Sequence, residues 1–342
     1  MKGSVVITGG GTGGHLKVAD SFIEEFSKRG IKPIFIGSIN GQDKAWFEGD
    51  KRLKKTIFLD TKGVVNKKGL GKLDSLFQIF KAMNQCFNIY SKNNVKTVIS
   101  VGGFSAAPAT FASILSFGSK LYIHEQNSVM GKLNEITSKF ASEVFSSFDE
   151  KSLIKDYPVS SEFFDHARIR DDLKTIIFLG GSQGAQAINN FAIKVVPKLN
   201  KLGLKIIHQT GRADILRVSA AYKKMKIDVD VFAFSKELPN KMNEADFAIS
   251  RAGASTLWEL SANSLPTLFI PYPYAAKDHQ YTNAKFLEEK ELCYISREKD
   301  LTEELLIDIL KKDNYKMSKK LVHSIKCDAV ESIVDIILHK NK

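Results

Sequence analysis

Short unbroken apolar runs alternate with amphipathic stretches along this chain. Val5-Val6-Ile7-Thr8 is the first run, and Leu16, Ala19, Phe22, Ile23 and Phe26 follow it at helical spacing. A run of four to eight apolar residues predicts a strand buried on both faces, and the i, i+3, i+4 spacing predicts an amphipathic helix. Further strands are predicted at Pro33–Ser38, Thr56–Leu59, Val95–Val101, Lys120–Ile123 and Ser142–Phe148. Between the second and third of these, Asn40 to Lys55 reads as a polar stretch. A helix carries Leu73, Leu76, Phe77, Phe80, Met83 and Phe87 on one side. Asp156 to about Asp172 reads as a polar, irregular linker, after which the pattern restarts at Thr175–Leu179. Strands at Leu204–Gln209, Val229–Phe234, Ala245–Ser250 and Leu265–Ile270 follow, and the tail from Leu301 reads as helical.

Strands alternating with helices predict parallel sheets whose ligands bind at the carboxyl ends of the strands. The expected fold is therefore α/β, with two Rossmann-like domains whose parallel sheets face a cleft, the architecture of the B-type nucleotide-sugar glycosyltransferases. The expected boundaries are 1–160 for the first domain and 161–325 for the second. A terminal helix over 326–342 is expected to pack back on the first domain.

Polar clusters mark the predicted strand ends. Gly9-Gly10-Gly11-Thr12-Gly13-Gly14-His15 follows the first strand, Gly102-Gly103-Phe104-Ser105 the fourth, and His124-Glu125-Gln126-Asn127 the fifth. In the second half, Gly180-Gly181-Ser182-Gln183-Gly184-Ala185 and Arg251-Ala252-Gly253-Ala254-Ser255-Thr256 occupy corresponding places. Glycine admits positive φ and a close ligand, and the helix that follows directs free N–H groups at an anion. The first loop also fits G-x-G-x-x-G, but a dinucleotide site needs an acidic residue at the end of the second strand. That strand ends in Gly37-Ser38. The loop therefore reads as a sugar-nucleotide or acceptor loop, which disfavours an NAD oxidoreductase.

Composition narrows the class. The 342 residues are 43% hydrophobic and 26% charged, enough for two ordinary cores. The net charge is +12 and is shared: residues 1–150 carry 20 Lys+Arg against 13 Asp+Glu, the remainder 30 against 25. Such a field favours anionic partners, although a Lys-rich proteome would produce the same excess. Cys86, Cys293 and Cys327 form no C-x-x-C pair and fit reduced thiols in a cytoplasmic protein. No signal peptide is expected, and no apolar run approaches the ~18 residues of a spanning helix. Lys67 and Lys68 in a basic loop, followed by Leu76, Phe77 and Phe80, read as a peripheral membrane patch; the alternative is a helix that simply covers its sheet.

Five blocks in order, Gly9–His15, His124–Asn127, Gly180–Ala185, Arg251–Glu259 and Asp278-His279-Gln280…Asn283-Ala284, together resemble the signatures of the MurG family of peptidoglycan enzymes. The resemblance implies inverting, metal-independent transfer of N-acetylglucosamine from UDP-N-acetylglucosamine to lipid I, the undecaprenyl-pyrophosphoryl-N-acetylmuramyl-pentapeptide, giving lipid II. It implies an acceptor and membrane-side role for the first domain and a UDP-sugar role for the second. It implies no cofactor beyond that co-substrate, no metal and no nucleic acid. The implied location is peripheral, on the cytoplasmic face of the bacterial inner membrane, with an anionic lipid surface and other cell-wall synthesis proteins as partners. Two positions depart from the family pattern. Val18 stands where the family has Pro, and Ser160 where it has a donor-contacting Arg, a contact that falls to Ser160, Arg168 or Arg170 here.

The candidate residues follow. His15 opens a helix and suits a general base near neutral pH, or it positions the acceptor pyrophosphate. Glu125 is an alternative base or acceptor contact, against an ion pair with a nearby lysine. Ser182, Gln183 and Gly184 present donors to the departing pyrophosphate, where charge develops. By resemblance Asn127 contacts the donor sugar, Glu259 accepts the ribose hydroxyls, and Ala254, Ser255 and Thr256 meet the diphosphate. Gln280 and His279 bind sugar hydroxyls, Ser235 lies by uracil, and Thr12, Gly13 and Gly14 complete the substrate set. Asn283 reads as structural. Asp228 and Asp230 match D-x-D, but they fall at the start of a strand and read as solvated carboxylates.

Overall fold

The computed structural model describes residues 3–61, 70–116, 118–181 and 184–341, with 70–74 and 76 described by their backbone. The chain divides into two units, Met1–Pro158 with Asp328–Lys342, and Val159–Cys327.

The first unit is a six-stranded parallel sheet: β1 (Ser4–Thr8), β2 (Ile34–Ser38), β3 (Lys55–Leu59), β4 (Val95–Ser100), β5 (Lys120–Glu125) and β6 (Glu143–Ser146). Its order is β3-β2-β1-β4-β5-β6. β1 is central because its apolar residues serve two neighbours, Val6 opposing both Ile34 and Val98. Val6, Ile34, Ile36, Val98, Ile123, Met83, Cys86 and Ala109 build one core. The polar stretch after β2 holds an unexpected short helix, Asp43–Phe47, whose Phe47 is buried and packs on Phe35 at 4.4 Å.

The second unit repeats the design with β7 (Thr175–Leu179), β8 (Lys205–Gln209), β9 (Asp230–Phe232), β10 (Phe247–Ser250), β11 (Thr267–Phe269) and β12 (Tyr294–Ile295). Its order, β12-β11-β10-β7-β8-β9, has the same topology read from the other edge. The two-residue β12 was not anticipated; it is too short to leave an apolar run. In each unit the strand order reverses between the first and fourth strands. Open parallel sheets bind their ligands at the carboxyl ends flanking such a reversal.

Two terminal features were set by side chains. The helix Ala329–Lys340 lies on Gly13–Lys28, with Ile333, Val334 and Ile337 buried and Arg29 paired to Asp335. The stretch expected as linker belongs to the second unit from Val159 onward. A short helix, Ser161–Asp165, buries Phe163, and Arg170 is one of the largest fully buried side chains. Its guanidinium donates to the carbonyls of Ala245 and Met242 at 3.2 and 3.1 Å and to Asn263 Oδ1 at 2.6 Å. Burial, with Arg168 nearby, pushes its pKa down to about 9.

Candidate functional site

In the first unit the reversal lies between the loops after β1 and β4, and these loops touch. Gly10 N–H donates to the Gly102 carbonyl at 3.1 Å. The helix Gly13–Lys28 starts here with Thr12 as its cap residue, yet the Thr12 hydroxyl does not bond the helix. It lies 2.9 Å from His15 Nδ1 and so orients the imidazole. The other edge of the ring faces the second loop: a side chain at Gly102 would meet His15 Nε2 at 3.5 Å. Gly13 and Gly14 are the first residues of the helix. Val18, at the family's proline position, is fully buried in that helix.

Glu125 ends β5 and is 4% exposed. Its Oε1 accepts the N–H of Asn127 at 3.0 Å, and its Oε2 accepts the Gly131 N–H at 3.0 Å and Asn134 Nδ2 at 2.8 Å. Three N–H donors hold it, so neither a lysine pair nor an outward-facing base describes it. It shapes the 127–131 loop that carries Asn127. His124 beside it is buried against Phe22 and Tyr157. Burial, with His15 adding a smaller push in the same direction, lowers its pKa to about 3.

In the second unit Gly184 has φ +83°, and a Cβ there would strike the Thr210 carbonyl at 2.7 Å. The loop after β7 thus rides directly on the loop after β8. Ser182 and Gln183 lie outside the described residues. A buried network lies beneath. Asn189 Nδ2 donates to the Thr210 carbonyl at 3.0 Å and to Asp214 at 2.7 Å, so its Oδ1 must accept from His208 Nε2 at 3.0 Å. His208 Nδ1 then accepts from Tyr222 at 2.8 Å, leaving the ring neutral.

The loop after β10 runs into the helix Ala254–Ala262, capped at Gly253, with Ala254, Ser255 and Thr256 as its first turn. Glu259 lies further along the same helix and is 4% exposed. Gln280 spends its carbonyl oxygen on the Tyr272 N–H at 2.9 Å, so its NH₂ donors are what it can offer a ligand. His279 Nδ1 lies 2.9 Å from the Ala276 carbonyl, and Asn283 is buried and donates to the Ala252 carbonyl. Ser235 Oγ accepts the Glu237 N–H at 3.0 Å. Arg297 holds Asp278 through both carboxylate oxygens at 3.1 and 2.7 Å and lies over the Tyr281 ring, both at the start of the helix that carries Gln280.

Some expectations move. Arg168 pairs with Asp246 at 2.6 Å, and Arg170 with backbone carbonyls, both beside the amino ends of β7 and β10. Neither is at the ligand end, so neither replaces the family arginine. Ser160 is exposed at the start of the Ser161–Asp165 helix. Asp230 opens β9 and pairs with Lys241 at 2.6 Å, and Asp228 is exposed. The apolar stripe on Leu70–Asn93 divides. Met83 is core and Phe87 packs against that core, beside Cys86 and Tyr90, whereas Phe77 and Phe80 are 68% and 57% exposed. Lys67 and Lys68, and the Leu76 side chain, lie outside the described residues.

Sequence reasoning missed Asp43, Asn134, Asn189, His208 and Arg297. The one signal available was a carboxylate, Asp43, next to Gly37 and Gly41 after a strand.

Comparison with known proteins adds the chemistry. Residues 5–146 match the glycosyltransferase family 28 N-terminal domain, and residues 175–337 match its C-terminal domain. Proteins named UDP-N-acetylglucosamine–N-acetylmuramyl-(pentapeptide) pyrophosphoryl-undecaprenol N-acetylglucosamine transferase are close in sequence. The one from Wolinella succinogenes is 47% identical over 335 residues, 98% of this chain and 99% of that protein. The one from Sulfurimonas denitrificans is 48% identical over 336 residues, 98% of each. The crystal structure of Acinetobacter baumannii MurG superposes with a TM-score of 0.82 at 26% identity, covering 98% of this chain and 99% of that one. A UDP-N-acetylglucosamine 2-epimerase superposes at 0.65 with 11% identity, covering 99% and 97%, a likeness of fold alone.

Proposed function

The chain belongs to glycosyltransferase family 28, and on that premise we propose that it transfers N-acetylglucosamine from UDP-N-acetylglucosamine to lipid I, giving lipid II. The observation that carries this reading is 47–48% identity, over nearly the whole chain, to proteins named for that transfer.

The transfer is a single displacement. An acceptor hydroxyl oxygen attacks the anomeric carbon, the bond from that carbon to the UDP oxygen breaks, and the configuration inverts. The hydroxyl proton goes to His15 Nε2. That role requires Nδ1–H to donate to Thr12, a contact the 2.9 Å separation supports. The leaving pyrophosphate gains charge, which N–H groups of the Gly180–Ala185 loop and of the Ala254–Ala262 helix start stabilise without a metal or other cofactor. The Ser182 hydroxyl and Gln183 belong to the same loop. Glu259 accepts the ribose hydroxyls, Gln280 donates to the sugar, and Asn127 contacts it from the loop that Glu125 braces. Uracil lies near Ser235.

Among the described residues no helix is long and apolar enough to cross a membrane. We place the protein peripherally, on the cytoplasmic face of an anionic membrane, where its lipid acceptor and other cell-wall synthesis proteins are met. Exposed Phe77 and Phe80, and exposed Ile136 and Phe140 after β5, support this. The helices Leu70–Asn93, Ala107–Leu115 and Lys132–Thr137 that carry or join them pack in a row. Replacing Phe77 and Phe80 by Asp should abolish cosedimentation with phosphatidylglycerol vesicles; unchanged cosedimentation refutes the patch.

The deciding assay is UDP release from UDP-N-acetylglucosamine with and without a lipid I analogue, in EDTA. Release that needs the acceptor and survives EDTA is expected. Release without acceptor favours an epimerase-like or hydrolytic reading, and loss in EDTA refutes the metal-free mechanism.

A further inference from the structure

The carboxylate that β2 lacks at its end is supplied five residues later, and it faces inward. Asp43 opens the helix Asp43–Phe47 and is 0% exposed. Its Oδ1 accepts the Gly11 N–H at 2.6 Å and its Oδ2 accepts the Ser38 N–H at 2.9 Å. Side chains at Gly10 or Gly37 would collide with this same carboxylate at 2.7 and 2.8 Å. Successive backbone N–H groups in a glycine turn ordinarily form a concavity for a ligand's phosphate. Here an internal anion takes the Gly11 N–H, with the short, charge-assisted geometry that makes such bonds strong. Gly10 in the turn and Gly37 in β2 are therefore needed to accommodate Asp43, whereas side chains at Gly9 and Gly11 would strike the Gly102 carbonyl and the Phe104 ring, and the ligand-facing part of the first loop starts at Thr12.

The contacts continue from Asp43 to His15. Gly10, pressed against the carboxylate, donates its N–H to the Gly102 carbonyl. A Cβ at Gly103 would strike the Gly10 carbonyl at 2.2 Å, so the two loops are in backbone contact. The His15 ring rests against Gly102 on one side and is held by Thr12 on the other. Gly11 joins the clamped turn to Thr12.

We propose that Asp43 is a positioning residue for the transfer reaction, an internal anion that locks Gly10 and Gly11 and so fixes His15 against Gly102. The proposal rests on the assignment of His15 as proton acceptor in the proposed function. A consequence is that the first loop meets the acceptor through His15 and the helix start, with no phosphate at the Gly11 N–H.

Asp43→Asn tests it, because the isosteric amide has one oxygen for two N–H donors. With UDP-N-acetylglucosamine and a lipid I analogue, kcat should fall about 100-fold, the cost of a displacement near 1 Å at a reacting group. KM for UDP-N-acetylglucosamine and its calorimetric Kd should be unchanged, since Asn127 and the donor-binding groups of the second unit lie outside the glycine turn that Asp43 braces. In ¹H–¹³C spectra the His15 ring signals, assigned with His15→Gln, should shift while those of His208 stay. Asp43→Ser, which is smaller and keeps one acceptor, should behave the same way. Unchanged kcat, an unmoved His15 signal, or parallel loss of donor binding in both variants would overturn the proposal, the last outcome making Asp43 a residue of the fold alone. If the wild-type protein itself proves inactive, the proposed function fails, and the His15 signal still reports whether Asp43 sets its position.

Discussion

Acidification should expose the energetic weight of one imidazole, His208. It is 0% exposed in the second unit, between Tyr222 and Asn189. Burial lowers its pKa from 6.5 to about 3, with Asp214 opposing and Arg217 adding to the shift. Above pH 6.5 the ring is neutral in both folded and unfolded chains, and its full contribution is present. Below pH 6.5 the unfolded chain takes up a proton that the folded one refuses until about pH 3, so stability is lost as pH falls. Between pH 7 and pH 5 the loss is about 2 kcal/mol. For a unit of this size that is a fall of about 4–8 °C in Tm. His208→Asn removes this titration while His124, lowered in the same way in the first unit, remains in both proteins. Scanning calorimetry at pH 5, 6 and 7 measures it. The variant is less stable at pH 7, but the gap between the proteins should shrink by about 2 kcal/mol at pH 5. Parallel pH dependences, or a His208 NMR titration midpoint above pH 5, refute the reasoning.

Three further outcomes are expected. Arg170→Met removes the guanidinium bonds to the carbonyls of Met242 and Ala245 and to Asn263 and should cost about 3–5 kcal/mol in urea unfolding; a loss below about 1 kcal/mol refutes the anchoring role. Glu259→Ala should weaken UDP binding in calorimetry by at least about tenfold, as expected for lost charged hydrogen bonds, and leave acceptor binding unchanged; equal UDP affinity removes Glu259 from the ribose. His15→Ala should lower kcat by about 10²–10⁴-fold at unchanged donor Kd, and unchanged turnover eliminates it as the base.

The strands of both sheets except β12, the helices Gly13–Lys28 and Leu70–Asn93, and the glycine loops were legible in the sequence. Each rests on a local rule: buried parallel strands are unbroken apolar runs, helices repeat at 3.6 residues, and turns need glycine. The matching positions of Gly9–His15 and Gly180–Ala185, each after the first strand of its sheet, follow from the same pattern. The five polar blocks also pointed to the family, because their order is a property of the chain. β12 and the Asp43–Phe47 helix were too short to leave a period.

Only the tertiary structure decided what each polar side chain is for. Glu125 looked like a base because it ends a strand where ligands bind, but Asn127, Gly131 and Asn134 turn its carboxylate into the loop. Arg168 and Arg170 looked available for a phosphate, yet packing takes both to the amino ends of β7 and β10. The missing acid of β2 proved to be Asp43, folded back against the glycines that the sequence had reserved for a ligand. A helix pattern likewise made one stripe of Phe77, Phe80 and Met83, and the neighbouring helix covered only Met83. Periodicity reports which backbone a segment adopts; the partner of a carboxylate, a guanidinium or an exposed ring is set by residues distant in the chain, brought near by folding.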